Sequence, residues 1–123
     1  MGKTILFVDG DPTVAETVTV MLEGLGYRVR MATSGMDALG AFSNNPMGFD
    51  LVITEVGMPD ISGLLLIEKL FKMRSDIPVV LLTGLEGQAQ SVARESGIRW
   101  FAIKPLSLTD LAGTVENALR GAA

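Results

Sequence analysis

The 123-residue sequence contains no cysteine and no histidine. Without cysteine, the chain has neither a disulfide framework nor a thiolate metal site. Without histidine, it offers no serine–histidine or cysteine–histidine catalytic pair, no histidine-ligated metal and no phosphohistidine relay. Any ionisable chemistry of this chain must therefore come from its carboxylates and lysines.

A long apolar run and a basic stripe are also missing. No apolar segment approaches the ~18 residues that a membrane-spanning helix needs, and the N-terminus lacks the basic and apolar segments of a signal peptide. The ten basic residues are scattered among fourteen acidic ones, for a net charge of −4. The scattered basic residues argue against direct nucleic-acid binding, and the missing apolar segment argues against membrane association. We therefore expect a cytoplasmic globular protein.

Short apolar runs are present instead, and they alternate with longer segments of helical periodicity. With 48% apolar residues and no linker or repeat, the sequence predicts a single domain over residues 1–123. The apolar runs are nearly continuous, as in strands that are covered on both faces of a parallel sheet. The predicted strands are Thr4–Val8, Tyr27–Met31, Leu51–Thr54, Val79–Leu82 and Trp100–Ile103.

The segments between the strands carry helix signals. Asp11 stands before Pro12, and serines occupy positions 34, 62 and 107, all of them able to cap a helix. The apolar residues that follow these caps recur at helical spacing. The first predicted helix begins after Asp11, and the second runs from Ser34 to about Phe42. The third covers Leu64–Met73, and the fourth covers Gln88–Ser96 with Gly97 as its C-terminal stop. The fifth begins at Ser107.

Five strands that alternate with five helices predict an α/β fold, a (βα)5 doubly wound parallel sheet. Right-handed crossovers place the loops that follow the strands along one edge of the sheet. Asp9, Glu55, Thr83 and Lys104 each follow a predicted strand directly. Carboxylates, a hydroxyl and a lysine that share a crevice suit a divalent cation or a phosphoryl group.

The same positions resemble a known family. Asp9 after an apolar strand, the run Leu51-Val52-Ile53-Thr54 with Met58-Pro59 and Gly63 beyond it, Thr83, and Lys104-Pro105 look like the receiver domains of two-component response regulators, in their chemotaxis-regulator-like form. The resemblance covers nearly the whole chain. It implies the flavodoxin-like strand order 2-1-3-4-5, a cis bond before Pro105, and a crevice in which a phosphoryl group is taken from a histidine kinase.

The resemblance also implies roles for individual residues. Asp9 matches the first member of the family's acidic pair, and Gly57 matches the position whose backbone carbonyl helps to hold Mg²⁺. Thr83 matches the hydroxyl that contacts the phosphoryl group, and Lys104 matches the lysine that neutralises one of its oxygens. Phe101 matches the aromatic side chain that changes rotamer when the domain switches.

Two positions depart from the family pattern. Gly10 replaces the second acidic residue, and Glu55 stands in the position of the phosphoryl-accepting aspartate. Glutamate is longer by one methylene group, and a misplacement of about 1 Å can cost about 100-fold in rate. We expect the Glu55 carboxylate to imitate an aspartyl phosphate by bonding Thr83 and pairing with Lys104. The resemblance therefore points to an atypical receiver.

A Mg²⁺ site built from Asp9, Glu55 and Gly57 should be weak or absent, because Gly10 brings no ligand and Glu55 has the wrong length. Asp11 is a further carboxylate in this loop, but helix capping is the favoured interpretation of its position before proline. No other cofactor is expected.

Several of these residues also have purely structural interpretations. Thr83 can be a turn residue before a glycine, and Lys104 can be a solvated surface lysine. Phe101 can be a core residue as readily as a switch. Trp100 can be buried, or it can lie partly exposed as an anchor at a partner surface. Asp60 is interpreted as a loop residue near the entrance of the crevice.

Two functions of different kinds follow, and neither is enzymatic. The first is a stand-alone interaction module without an effector domain, which contacts a histidine kinase or a downstream target without phosphorylation. Its predicted contact face consists of the helix Gln88–Ser96, the strand Trp100–Ile103 and the last helix, and a homodimer is left open. The alternative is a switch that still accepts a phosphoryl group from a kinase or a small phosphodonor. A flavodoxin-like cofactor-binding domain ranks last, because the first loop lacks a glycine-rich phosphate cradle.

Overall fold

The chain folds around a five-stranded parallel sheet with the strand order β2-β1-β3-β4-β5. The structure is a computed structural model that describes residues 2–84, 91, 94, 95 and 97–121. The strands are β1 (Thr4–Val8), β2 (Arg28–Ala32), β3 (Leu51–Glu55), β4 (Val79–Thr83) and β5 (Trp100–Ile103). The predicted fold class and strand order are therefore confirmed.

Four α-helices are described, together with one short 3-10 helix at Pro46–Gly48. The helices are α1 (Pro12–Gly24), α2 (Gly35–Asn44), α3 (Gly63–Met73) and α4 (Leu108–Leu119). The predicted helix Gln88–Ser96 lies mostly outside the described residues, although Ser91, Arg94 and Glu95 within it are described and helical. Within the described ranges, no helix is both long enough and apolar enough to cross a membrane.

Some element boundaries differ from the prediction by one or two residues. β2 begins at Arg28 because the backbone N–H of Tyr27 donates to Leu22 O of α1, which makes Tyr27 part of the turn. β3 and β4 each extend one residue further, since Glu55 pairs with a residue of β4 and Thr83 pairs with one of β5. Glu55 and Thr83 are therefore the last residues of β3 and β4, where pairing with the neighbouring strand fixes the position of their backbone.

Apolar layers cover both faces of the sheet. Along β1, Leu6 and Val8 pack with α2 and α3, while Ile5 and Phe7 pack with α1 and α4 on the opposite face. Burying one such side chain completely stabilises the fold by about 1.5–3 kcal/mol relative to leaving it exposed. This two-sided packing fixes the positions at which the strands end, and with them the loops that follow.

The predicted capping residues are confirmed. The Asp11 carboxylate accepts a hydrogen bond from Thr13 N at 2.9 Å and so begins α1. The hydroxyl oxygens of Ser34, Ser62 and Ser107 each accept a bond of 3.1 Å from the backbone N–H three residues further on. Each such cap satisfies an N–H group that the helix itself leaves without a partner.

Candidate functional site

The polar residues that follow the strands meet at the carboxyl edge of the sheet. Asp9 follows β1, Glu55 ends β3, and Lys104 follows β5. They line an open cleft of about 460 Å³, which we call the carboxyl-edge cleft. Its lining residues are Asp9, Gly10, Asp11, Val14, Glu55, Gly57, Pro59 and Lys104. Thr83 ends the neighbouring strand β4 and is only 3% exposed.

Lys104 connects the two acids of this cleft. Its Nζ atom lies 3.2 Å from Asp9 Oδ2 and 3.2 Å from Glu55 Oε1. The peptide bond between Lys104 and Pro105 is cis, and Lys104 N donates to Thr83 O at 2.9 Å. One ammonium group therefore bridges two carboxylates that come from different strands.

The Glu55 carboxylate is held at both of its oxygens. Oε1 faces Lys104, and Oε2 accepts a hydrogen bond from the backbone N–H of Gly10. Sequence reasoning missed this contact with Gly10, because it treated the glycine only as a lost ligand. The predicted bond between Glu55 and Thr83 remains a prediction.

Burial has the largest effect on the pKa of Glu55. It raises the pKa of this carboxyl above its usual value, and the hydrogen bond and negative charge of Asp9 raise it further. The hydrogen bond from Gly10 and the charge of Lys104 lower the pKa, but they offset only part of this rise. A raised folded-state pKa means that the contribution of Glu55 to stability is greatest below about pH 4.3 and declines as the pH rises through the folded pKa.

The pKa of Lys104 is shifted upward, which favours the charged ammonium form. Burial opposes the ammonium form, but the charges of Asp9 and Glu55, together with their hydrogen bonds, outweigh burial and raise the pKa of Lys104. The stability contributed by this lysine is therefore fully present below about pH 10.4 and is lost as the pH rises through the folded pKa. At neutral pH the bridging cation is in place.

The arrangement of donors does not fit Mg²⁺, which the family resemblance implies. Mg²⁺ requires near-octahedral oxygen ligands at about 2.0–2.1 Å. Both oxygens of Glu55 are bonded, and Asp9 Oδ1 accepts from Asp11 N at 2.9 Å while Asp9 Oδ2 faces Lys104. The described residues contain no group of three or more acidic, histidine or cysteine side chains placed to hold a metal ion.

Asp60 anchors the loop that leads from β3 to α3, although the sequence suggested only a loop residue. Its carboxylate accepts hydrogen bonds from Gly35 N at 2.9 Å and Met36 N at 2.8 Å, the first amides of α2, and from Ile61 N at 2.8 Å. The bond from Met36 has the largest effect and lowers the pKa of Asp60; desolvation opposes it, and the bonds from Ile61 and Gly35 lower the pKa further. A β-carbon at Gly35 would lie 2.2 Å from Ile61 Cγ1, so this close approach requires glycine.

The two aromatic residues of β5 face opposite layers. Phe101 is half-buried against the layer that contains α2 and α3, and the Arg94 guanidinium lies 5.4 Å from its ring centroid. Trp100 packs against the layer of α1 and α4, with the Arg99 guanidinium 5.5 Å from its ring. Phe101 is thus in contact with the core, and its role as a switch remains a prediction.

Comparison with known proteins gives one consistent family. The family model described as "Response regulator receiver domain" matches residues 5–116. The chain is 33% identical to the transcriptional regulatory protein ZraR of Salmonella typhimurium over 116 residues, which cover 94% of this chain and 26% of that protein. The chain spans less than half of the length of the curated relatives it matches.

Solved structures agree with this family. A response regulator receiver domain protein from Clostridium thermocellum superposes with a TM-score of 0.91 at 28% identity, over 97% of this chain and 95% of that chain. A putative response regulator from Chloroflexus aurantiacus superposes with a TM-score of 0.88 at 32% identity, over 98% and 99% of the two chains. The likeness therefore extends over nearly the whole chain.

Proposed function

This chain belongs to the response regulator receiver domain family of two-component signalling, and we propose that it signals by protein contact without conventional aspartyl phosphorylation. The observation that carries the proposal is the bridge from Lys104 to both Asp9 and Glu55. In this arrangement the positive charge that would neutralise an incoming phosphoryl group already has two negative partners.

The chemistry of phosphoryl transfer explains why this bridge matters. Catalysis of this reaction depends mainly on positioning and on neutralising the charge of the transferred group. The Glu55 carboxylate reaches Gly10, so the acid that should attack is instead bonded to the loop that follows the neighbouring strand β1. We infer that no Mg²⁺ or other cofactor is needed for the domain to adopt its signalling conformation.

Glu55 acts in this proposal as a built-in and partial imitation of an aspartyl phosphate. A phosphoryl group carries about −1.5 to −2 charges at neutral pH, whereas a carboxylate carries one. The ion pair with Lys104 is kept, but a single carboxylate has fewer oxygens to bond other groups. The signalling state should therefore be fixed rather than switched by a phosphodonor.

The proposed partners are signalling proteins, either a histidine kinase or a downstream target in the cytoplasm. Ile103 at the end of β5 and Leu108 at the start of α4 are 48% and 50% exposed. These apolar side chains support a contact face made of β5, α4 and the predicted helix Gln88–Ser96. The same face would serve a homodimer, and the domain is proposed to have no enzymatic turnover of its own.

Incubation with acetyl phosphate and Mg²⁺, followed by intact-protein mass spectrometry, tests this proposal. We expect the mass of the native chain to remain unchanged, because Glu55 and Lys104 are already paired. A parallel sample without Mg²⁺ controls for non-specific acetylation or phosphorylation. A stoichiometric, Mg²⁺-dependent phosphoryl adduct that peptide mapping places on Glu55 would overturn the proposal.

The alternative function is a receiver that still accepts a phosphoryl group. It is favoured by Asp9, Thr83 and Lys104, which the structure keeps at the carboxyl ends of β1, β4 and β5. The mass measurement separates the two functions directly, since only the alternative predicts an adduct.

A further inference from the structure

The two residues that depart from the family pattern contact each other. Gly10 N–H donates a hydrogen bond to Glu55 Oε2, although 45 positions separate the two residues. A hydrogen bond to an ionised carboxylate is roughly twice as strong as one between neutral groups. This contact therefore holds one oxygen of Glu55 on the loop between β1 and α1 while the other oxygen faces Lys104.

The missing side chain at position 10 is part of the same contact. A β-carbon built on Gly10 would lie 3.1 Å from Pro59 Cδ and 3.4 Å from Glu55 Oε2. An aspartate here, as in the family pattern, would bring a further carboxylate close to Asp9 and Glu55, in a cleft that Asp11 already lines. Lys104, which bridges Asp9 and Glu55, would then face a further negative charge, and like charges in one site disfavour one another's ionised forms.

We propose that Gly10 is the positioning residue of Glu55, so that the two departures form one unit, the Gly10–Glu55 latch. The amide N–H selects the side-chain conformation in which Glu55 reaches Lys104. The absence of a side chain keeps a further negative charge away from the carboxylates of Asp9 and Glu55. The inference rests on the proposed function, because it describes how a glutamate is held where the family phosphorylates an aspartate.

The amide proton of Gly10 reports the latch in two-dimensional NMR spectra recorded with EDTA and without phosphodonor. In the native chain we expect it downfield, as for an amide bonded to a carboxylate. In the Glu55→Asp variant, which restores the family's own residue, the shorter side chain cannot reach Gly10 and the resonance should move upfield. Gly57→Ala adds a methyl group at another glycine of the cleft, with no atom within 4 Å of the added carbon, and should leave the Gly10 resonance in place.

A double-mutant cycle tests the exclusion of charge. Gly10→Asp and Gly10→Asn add side chains of the same shape, and only the first is charged. At pH 7 we expect Gly10→Asp to lower the folding equilibrium constant about tenfold more than Gly10→Asn, and this difference to shrink in the Glu55→Gln background. An equal difference in both backgrounds would overturn the coupling, because repulsion from Glu55 would then be absent.

The latch and the proposed function fail in different experiments. A Gly10 resonance that ignores Glu55→Asp overturns the latch, whatever the phosphodonor result. A phosphoryl adduct on the native chain overturns the proposed function, whereas the NMR result then still decides whether Gly10 positions Glu55.

Discussion

We expect the replacement of Lys104 by methionine to lower the free energy of unfolding at pH 7 by about 2 kcal/mol. The change leaves Asp9, whose side chain is 1% exposed, and Glu55 without the cation that bridges them. Removing one partner of a buried ion pair costs about 3–5 kcal/mol. The expected loss is smaller because the Lys104 side chain is 35% exposed and water screens part of the interaction. Urea denaturation measures the difference.

The pH dependence of this loss identifies its cause. Lys104 lowers the pKa of Glu55 in the native chain, so its removal lets that pKa rise further above the usual value. A carboxyl group of this kind contributes most stability below its unfolded pKa of about 4.3 and loses it as the pH rises. The variant should therefore approach the native stability near pH 4 and fall away from it toward pH 7.

Lys69→Met is the matched control, since it removes an exposed lysine from α3. Substitutions at such surface positions usually change stability by less than about 0.5 kcal/mol. If Lys104→Met behaved like this control at every pH, the ion pairs of the cleft would contribute nothing to the fold.

We expect the restoration of both family acids, by Glu55→Asp together with Gly10→Asp, to recover a conventional site. The shorter acid at position 55 withdraws from the loop after β1, and the new acid supplies the carboxylate that Gly10 lacks. We expect Mg²⁺ binding and beryllofluoride-induced NMR changes around Thr83 and Phe101. Phosphorylation by acetyl phosphate, which we expect to be undetectable in the native chain, should become measurable, because a misplacement of about 1 Å can cost about 100-fold in rate.

A second double variant, Glu55→Asp with Gly10→Asn, controls for shape. It has the shorter acid and a side chain of the same size at position 10, but it lacks the added charge that Mg²⁺ needs. It should bind Mg²⁺ much more weakly than the variant with both acids. A chain with both acids that gave no NMR response to Mg²⁺ would show that something else disables the site.

Local patterns carried most of what the sequence predicted. The near-continuous apolar runs revealed β1, β3 and β4, because strands covered on both faces leave no polar alternation. The caps at Asp11, Ser34, Ser62 and Ser107 were predictable because each side chain bonds a backbone N–H no more than three residues further along the chain. Because the carboxyl ends of parallel strands lie at the same edge of a sheet, these elements were enough to place Asp9, Glu55 and Lys104 at that edge.

The features that sequence reasoning missed depend on distant partners. Asp60 caps α2 from 24 and 25 positions away, and no local pattern distinguishes it from an ordinary loop aspartate. The bond from Gly10 to Glu55 depends on the length of one side chain and on the empty space at another position. The start of β2 was misplaced because the turn held by Tyr27 and Leu22 is set by backbone bonding rather than by hydrophobicity.

The most direct test of a cleft occupied by its own side chain is a crystal structure of the native chain grown with Mg²⁺ and beryllofluoride. We predict that Lys104 Nζ will lie within hydrogen-bond distance of both Asp9 and Glu55, with Gly10 N bonded to Glu55 and neither additive bound there. A structure in which Mg²⁺ is coordinated by Asp9 and Glu55, with beryllofluoride on the Glu55 carboxylate, would contradict the account.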